Sequence, residues 1–192
     1  MGDHAWEYIV PDRPEGQRTD GARHDIALFG LRQAIERMGI AAVGMFKGEG
    51  QRAHLASLGE ALWWIASLDD HCKHIEGESA YFTRRDADGA GQTVSGLIYA
   101  RNLHGHNLAP LATIATHSEA APLRLPYREN GPHAQVIQSS TAVMTLVWRE
   151  LSHLQAPTKA ERHGRDQLYS DHVAGRPLRD PVADGLAFFT DA

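Results

Sequence analysis

A cluster of cationic and imidazole side chains lies in the segment YARNLHGHNL. Arg101, His104 and His106 fall within six residues at the end of an apolar-patterned stretch. An arginine is a permanently charged ligand that can bind a phosphate through two hydrogen bonds, and an imidazole can transfer a proton near neutral pH. These residue types predict a phosphate-directed site that needs no cofactor.

Helical geometry limits which of these side chains can act together. Around an α-helix, His104 lies about 60° from Arg101, whereas His106 lies about 140° away and about 7.5 Å further along the axis. Arg101 and His106 therefore do not converge on an unbroken helix. A bend at Gly105, or a second copy of the chain across a two-fold axis, would bring them together.

The arrangement of Arg101, Asn102 and His106 resembles the signature of the HEPN superfamily, an arginine, a polar residue and a histidine after four intervening residues. The resemblance covers about residues 25–118 and implies an all-helical, usually dimeric protein. Many members are metal-independent ribonucleases of toxin-antitoxin, abortive-infection and CRISPR systems, while others are inactive nucleotide-binding or scaffold relatives. It implies that Arg101 holds the scissile phosphate of an RNA, His106 acts as general acid or base, and Asn102 orients the pair.

Two residues near this motif depart from the family pattern. Members neutralised by a nucleotidyltransferase antitoxin commonly carry a tyrosine two positions after the histidine, where this chain has Leu108. His104 is an extra histidine that could replace or assist His106. The competing interpretation is a solvated helix end whose arginine and histidines satisfy carbonyls or carboxylates.

A basic pair, Arg84 and Arg85, precedes the motif in the polar stretch 76–91, which contains three glycines. The composition predicts a loop. A basic pair on a loop suits contacts with the phosphates that flank a cleavage site in RNA. A solvated loop without a ligand is the alternative.

A metal-binding site is the main alternative to a ribonuclease site. His71 and His74 lie one helical turn apart in DDHCKH, and His104 with His106 could complete a set of ligands between two packed helices. The sequence has neither a paired-cysteine spacing nor H-E-x-x-H. The sequence therefore predicts no metal, and a metal-binding bundle that uses these four histidines remains an alternative.

A third interpretation is a non-enzymatic helical dimer that acts as an interaction or immunity module. The net charge of −5 favours it, because nucleic-acid coat proteins usually carry a basic face. No G-x-S-x-G, phosphate-binding glycine loop or dinucleotide fingerprint supports the common hydrolase, kinase or dehydrogenase mechanisms.

Composition predicts one folded domain in the cytoplasm. The 192 residues suffice for one core, and 42% of them are hydrophobic. One cysteine excludes an internal disulfide, and the first ten residues lack a basic start and a long apolar core, so we expect a cytoplasmic protein. No run approaches the length of a membrane span. The expected partners are RNA, a second copy and an antitoxin or defence protein.

Apolar spacing predicts a mainly α fold, a bundle of three to four long helices with a small β-hairpin and a C-terminal helix. The first helix begins at Asp25 and ends near the glycines at 48–50. The second, 51–76, carries the clearest buried stripe, with Cys72 as a small core residue and Asp69 and Asp70 as surface charges. The third, 92–116, is expected to bend or break at Gly105 or Pro110.

The remaining segments predict an arm and an extension. Residues 1–24 form an irregular arm, residues 25–118 the HEPN-like helical domain, and residues 119–192 an extension packed on the same domain. In the extension, 136–138 and 141–148 are predicted strands. Asp180 is predicted to cap a last helix with Pro181 at its first position, burying Val182, Leu186 and Phe189.

Overall fold

The computed structural model describes five stretches of the chain, which are residues 15–43, 48–107, 111–122, 138–154 and 164–191. The helices within them are α1 Glu15–Val43, α2 Gly48–Glu76, α3 Glu78–Ala87, α4 Gly89–Asn107, α5 Arg165–His172 and α6 Arg179–Thr190. The strands are β1 Ala112–Pro122 and β2 Gln138–Trp148, followed by a 3-10 turn at Leu151–His153. The predicted fold class, a mainly helical bundle with a small antiparallel strand pair, is confirmed. None of the described helices is both long and apolar enough to cross a bilayer.

Helices α1 and α2 pack as a long antiparallel pair because small residues let their backbones approach. A Cβ atom added to Gly30 would lie 2.2 Å from the Trp64 ring, so only glycine fits under that indole. Their inward faces supply much of the core through Leu31, Ala34, Ile35, Met38, Leu58, Ala61, Leu62, Ile65 and Leu68. The predicted stripe of α2 is confirmed at Leu58, Leu62, Ile65 and Leu68, whereas its two ends, Leu55 and Ile75, are exposed.

Helix α4 is the centre of the bundle. Every residue from 93 to 100 is buried, because α4 packs against α2, α3, α5 and α6. Tyr169, Val173, Val182 and Phe189 of the last two helices belong to the same hydrophobic core. The described part of the C-terminal extension therefore shares one core with the preceding helices.

The two strands pair antiparallel along their whole length, from Ala112 opposite Trp148 to Pro122 opposite Gln138. The end near Trp148 is fixed to the bundle. This indole is fully buried and donates from Nε1 to the Leu178 carbonyl at 3.2 Å, and its backbone N–H donates to the Arg176 carbonyl at 2.9 Å. These bonds connect the sheet to the segment that leads into α6.

The predicted loop at 76–91 is wrong, because this stretch forms α3 and the first turn of α4. Gly77 separates α2 from α3 with a φ of 83°, which favours glycine. Only Tyr81 and Arg85 of α3 are buried. A single fully buried apolar side chain, Tyr81, leaves too little periodicity for the helix to be detected from the sequence.

The predicted third helix, 92–116, begins and ends earlier than expected. Helix α4 starts at Gly89 and ends at Asn107, and residues 112–116 belong to β1. The partner of strand 141–148 is therefore β1 and not the predicted strand 136–138, of which only Gln138 lies in the described β2. Ile114 continues the helical spacing in the sequence, but its side chain is 54% exposed on the sheet.

Both ends of the chain also differ from the prediction. Helix α1 begins at Glu15, so part of the predicted arm is helical, and residues 1–14 lie outside the described residues. Helix α6 begins at Arg179 after Leu178, which means that Asp180 is inside the helix and does not cap it. Short helix α5 was not predicted.

The expected burial in α6 is confirmed in its main features. Val182 and Phe189 are fully buried, and Leu186 packs partly buried against the core.

Candidate functional site

The C-terminal part of α4 presents an arginine to solvent. Arg101 is exposed and Asn102 half-buried, while Leu103 is fully buried and anchors this turn in the core. Arg101 donates from Nη1 to Asn102 Oδ1 at 3.2 Å. No carboxylate among the described residues pairs with this guanidinium. Its charge is therefore available to an anion that arrives from solvent.

Helix α4 continues through Gly105 and ends at Asn107, so the interruption predicted at Gly105 or Pro110 falls after Gly105 and before Pro110. A single glycine costs a helix only about 1 kcal/mol relative to alanine, which the packing of α4 easily offsets. Because the helix is unbroken, the position of His104 lies about 60° from Arg101 and that of His106 about 140° away. The side chains of both histidines lie outside the described part of the structure.

Arg84 lies on α3 and is paired within the chain. Its Nε and Nη2 donate to the two carboxylate oxygens of Glu76 at 3.0 and 2.7 Å, and the guanidinium stacks 4.2 Å from the centre of the Phe188 ring. Two hydrogen bonds and an aromatic face hold it in place. Contact with RNA through Arg84 stays a prediction, and it would require this pair to open.

Arg85 is more deeply buried than its neighbour. Its side chain is only 7% exposed, its Nη2 donates to Asp86 at 3.0 Å, and its Nη1 lies 3.6 Å from an Asp69 oxygen. The guanidinium also lies 4.7 Å from the centre of the Phe82 ring. This environment makes Arg85 a link between α3 and α2, and its contact with RNA likewise stays a prediction.

Asp69 is the buried acceptor that the sequence interpretation missed. It was predicted to be a surface charge, but it is 1% exposed, which corrects that prediction. Tyr81 donates its hydroxyl to Asp69 at 2.6 Å, and Lys73 pairs with the same carboxylate. Burial, followed by the nearby carboxylate, raises the pKa of Tyr81 well above its ordinary value. Tyr81, Lys73 and Arg85 therefore surround the Asp69 carboxylate, which links α2 to α3.

The signal for this buried carboxylate was present but ambiguous. The helical spacing of α2 places either Leu68 or its neighbour Asp69 in the buried stripe. The sequence alone does not show which of the two side chains points inward. The structure buries both. Asp70, by contrast, has a side chain that is 80% exposed, as predicted.

The histidines of DDHCKH do not form a metal site with described neighbours. His71 lies against His24 of α1, with ring centres 5.6 Å apart, and no described residue forms a hydrogen bond with its buried Nε2. Burial lowers the pKa of His71, and His24 lowers it further. Across the described ranges, no three histidine, cysteine, aspartate or glutamate side chains lie close enough to hold a metal ion.

The alternative metal site would need His71 and His74 of α2 together with His104 and His106 of α4. The direction of α4 places these two pairs of residues apart. Gly91, at the start of α4, abuts the backbone of Arg85 beside the C-terminal part of α2, whereas Leu97 lies beside Ile65, nearer the middle of α2. The two helices are therefore antiparallel. His104 lies about 20 Å along α4 from Gly91, away from the α2 end that carries His71. A metal held by all four histidines stays a prediction without support from the described side chains.

Two other reactive side chains are buried. Cys72 is 4% exposed, as predicted, and burial, reinforced by Glu76 and Asp69, raises the pKa of its thiol to about 11. His54 is 5% exposed, and neither of its ring nitrogens has a hydrogen-bond partner among the residues that the structure describes. Burial lowers the pKa of His54, so its imidazole is neutral at pH 7. Neither group is placed to meet a substrate from solvent.

Comparison with known proteins identified no relative of this chain. A scan against protein-family models found no match, and searches of curated proteins and of solved structures likewise found none. A functional assignment therefore depends on the residues and geometry described above.

Proposed function

We propose that the chain binds RNA at the C-terminal part of α4 and cleaves it without a metal ion. The observation that carries this proposal is the exposed guanidinium of Arg101, which bonds to Asn102 and has no acidic partner among the described residues. The resemblance of Arg101, Asn102 and His106 to the HEPN signature supports RNA as the substrate class. An unpaired arginine beside histidines suits a scissile phosphate.

In the proposed reaction, Arg101 neutralises the phosphate and Asn102 keeps the guanidinium in place. One imidazole removes the proton of the ribose 2′-OH, and the resulting oxygen forms a bond to phosphorus. The bond from phosphorus to the 5′ oxygen breaks, and that oxygen takes up a proton. The products are a 2′,3′-cyclic phosphate and a 5′-hydroxyl end.

We infer the roles of the two histidines from their positions on the continuous helix α4. The position of His104 is on the same side of α4 as Arg101, so we assign proton transfer within one chain to His104. His106 reaches the phosphate of Arg101 only from a second copy of the chain, as the resemblance to dimeric relatives implies.

Cleavage of a labelled RNA in the presence of a chelator tests this assignment. Arg101→Ala is expected to lower the rate at least about 100-fold, because general acid–base and phosphate-binding groups each contribute on that scale. Loss in His104→Ala alone indicates a site within one chain, and loss in His106→Ala indicates a site shared by two chains. Unchanged cleavage by Arg101→Ala, or loss of wild-type cleavage on chelation, contradicts the proposal.

The same resemblance extends the proposal to a toxin-antitoxin or phage-defence role in the cytoplasm, with an antitoxin or defence protein as partner. Induced expression of the wild-type chain is then expected to arrest growth, and Arg101→Ala is expected to relieve the arrest. Arrest that is identical for both chains would contradict a role through RNA cleavage.

A non-enzymatic interaction module is the second candidate function. The observation that favours it is the exposure of large apolar side chains on the outer face of α1 and α2, including Phe29 and Trp63. Such residues on a folded surface commonly mark a protein-binding site. This candidate predicts that Arg101→Ala leaves function intact.

A further inference from the structure

Three large apolar side chains protrude on the face of α1 and α2 that points away from the core. Ile26, Phe29 and Trp63 are 58%, 64% and 53% exposed. Phe29 lies about 160° around α1 from buried Leu31, and Trp63 lies about 160° around α2 from buried Ile65. Neighbouring exposed apolar side chains of this size mark a surface that another segment or molecule covers.

A groove of about 540 Å³ runs between α1 and α2 on this face. Its middle is apolar, and cationic or imidazole side chains line the end nearer the start of α1. These side chains are Ile26, Trp63 and Trp64 in the middle and Arg23, His71 and His74 at that end. Asp70 also lines that end, but it is paired with Lys73 at 3.1 Å, and no described carboxylate pairs with Arg23. The groove therefore suits a ligand that is aromatic and acidic.

Residues 1–14, which precede α1 and lie outside the described residues, have this composition. Their sequence, MGDHAWEYIVPDRP, contains three carboxylates and one arginine, and its apolar side chains include Trp6, Tyr8 and Val10 at every second position. In an extended chain, such alternate side chains point to the same side. The stretch PDRP directly before α1 favours a turn, after which the chain runs back along the helix.

We propose that residues 1–10 lie in the groove in an extended form, antiparallel to α1. The rings of Trp6 and Tyr8 then cover the exposed apolar side chains of the groove. A segment that is tethered to α1 has a high effective concentration at this surface, so it occupies the groove in preference to a separate molecule with similar contacts.

The length of the segment matches the position of the groove. Residues 6–10 span about 16 Å when extended, and α1 rises by about the same distance, about 16 Å, from Glu15 to Ile26. A turn at residues 11–14 therefore brings Trp6 level with Ile26.

The charges of the segment and the groove are complementary. In this arrangement Glu7 lies close to the level of Arg23, at the end of the groove that carries the cationic and imidazole side chains. Opposite charges across a contact fix its register and add affinity.

Docking of the segment is independent of the proposed RNA chemistry, because no residue of α4 lines the groove. A separate protein that binds at Trp63 must first displace residues 1–10.

Hydroxyl-radical footprinting of the full-length chain tests the proposal, because mass spectrometry measures the oxidation of each side chain separately. In the Trp6→Ser, Tyr8→Ser variant, Trp63 is expected to oxidise at least about twofold faster than in the wild type, since the anchoring rings are lost. Ile114, which is exposed on β1, is the internal control and is expected to oxidise at an unchanged rate. Equal oxidation of Trp63 in the two chains would overturn the proposal. Protection of Trp63 that declines when the wild type is diluted would assign the groove to a second molecule and overturn the proposal as well.

Charge reversal supplies a second test, in which the aromatic anchors stay in place. Arg23→Glu is expected to raise the oxidation rate of Trp63 at least about twofold in the wild-type background. In the Trp6→Ser, Tyr8→Ser background it is expected to have no effect, because the segment is already released. Arg32→Glu is the matched control, since Arg32 is exposed on α1 about 120° around the helix from Ile26, and is expected to leave Trp63 protected. An equal effect of Arg23→Glu in both backgrounds would show a local change at Trp63 and overturn the proposal.

Discussion

Asp69 and Asp70 are neighbours on α2 with different energetic roles. Asp69 accepts from Tyr81 and pairs with Lys73 and Arg85 inside the protein, whereas Asp70 is exposed and pairs only with Lys73. Removal of one partner from a buried charge network leaves the other charges uncompensated, which costs far more than the loss of a surface pair.

This contrast predicts the effect of two adjacent substitutions. Asp69→Ala is expected to lower the free energy of unfolding by about 3 kcal/mol, and Asp70→Ala by less than about 0.5 kcal/mol. Urea unfolding at neutral pH measures both. Similar losses at the two positions would show that the Asp69 carboxylate is not buried among its donors.

Cys72 is predicted to be unreactive in the folded chain. Burial raises the pKa of its thiol to about 11, so little thiolate exists at pH 8 and reagent access is restricted. Ellman's reagent should therefore react with Cys72 slowly in the native protein and fully in denaturant. Rapid native reaction would contradict the packing of this side chain.

At the scale of elements, two glycines in the first turn of α4 form a natural comparison. A Cβ atom on Gly91 would lie 2.1 Å from the Arg85 carbonyl oxygen, whereas one on Gly89 meets nothing within 4 Å. Gly91→Ala is therefore expected to destabilise the protein by at least about 2 kcal/mol, since backbone must move. Gly89→Ala is expected to be neutral or stabilising, because alanine favours a helix by up to about 1 kcal/mol. Thermal unfolding that ranks the variants in the opposite order would disprove the close contact between α3 and α4.

Elements with strong apolar periodicity could be predicted from the sequence, and those held by polar contacts could not. The stripe of Leu58, Leu62 and Ile65 identified α2 directly. Helix α3 was missed because its attachment depends on Arg85, Tyr81 and the Asp69 carboxylate, whose pairing is a tertiary property. Similarly, the apolar residues after Asn107 continue a helical spacing, and only pairing with β2 makes them a strand.

At the scale of the whole molecule, stability is expected to fall in mild acid. Burial lowers the pKa of His54 in the folded state below its ordinary value of 6.5, and His71 shifts in the same direction. The unfolded chain then binds protons more readily than the folded chain. Stability is therefore full above about pH 6.5 and is lost as the pH falls towards the lower folded pKa values.

Urea midpoints between about pH 7.5 and 5.5 measure this dependence. The midpoint is expected to decrease across that range in the wild type and to decrease less in His54→Leu. His153→Gln, at an exposed position after β2, is the control and should keep the wild-type slope. A slope in His54→Leu equal to that of the wild type would show that His54 does not contribute.

The candidate site was only partly predictable for the same physical reason as the fold. Arg101, Asn102, His104 and His106 share one helix, so their order along α4 follows from the sequence alone. The continuity of α4 through Gly105 does not, because a lone glycine weakens a helix by only about 1 kcal/mol and need not end it. Likewise, the exposure of Phe29 and Trp63 does not follow from the sequence, since both look like core aromatic residues.

The most direct test of the central claim is RNA cleavage by Arg101→Ala compared with Arg52→Ala, both measured in the presence of a chelator. Arg52 is an exposed arginine on α2 and controls for the loss of one surface charge. We predict that Arg52→Ala cleaves RNA within about twofold of the wild type, while Arg101→Ala loses at least about 100-fold. Equal activity of the two variants, or no cleavage by the wild type, would contradict the proposed ribonuclease site.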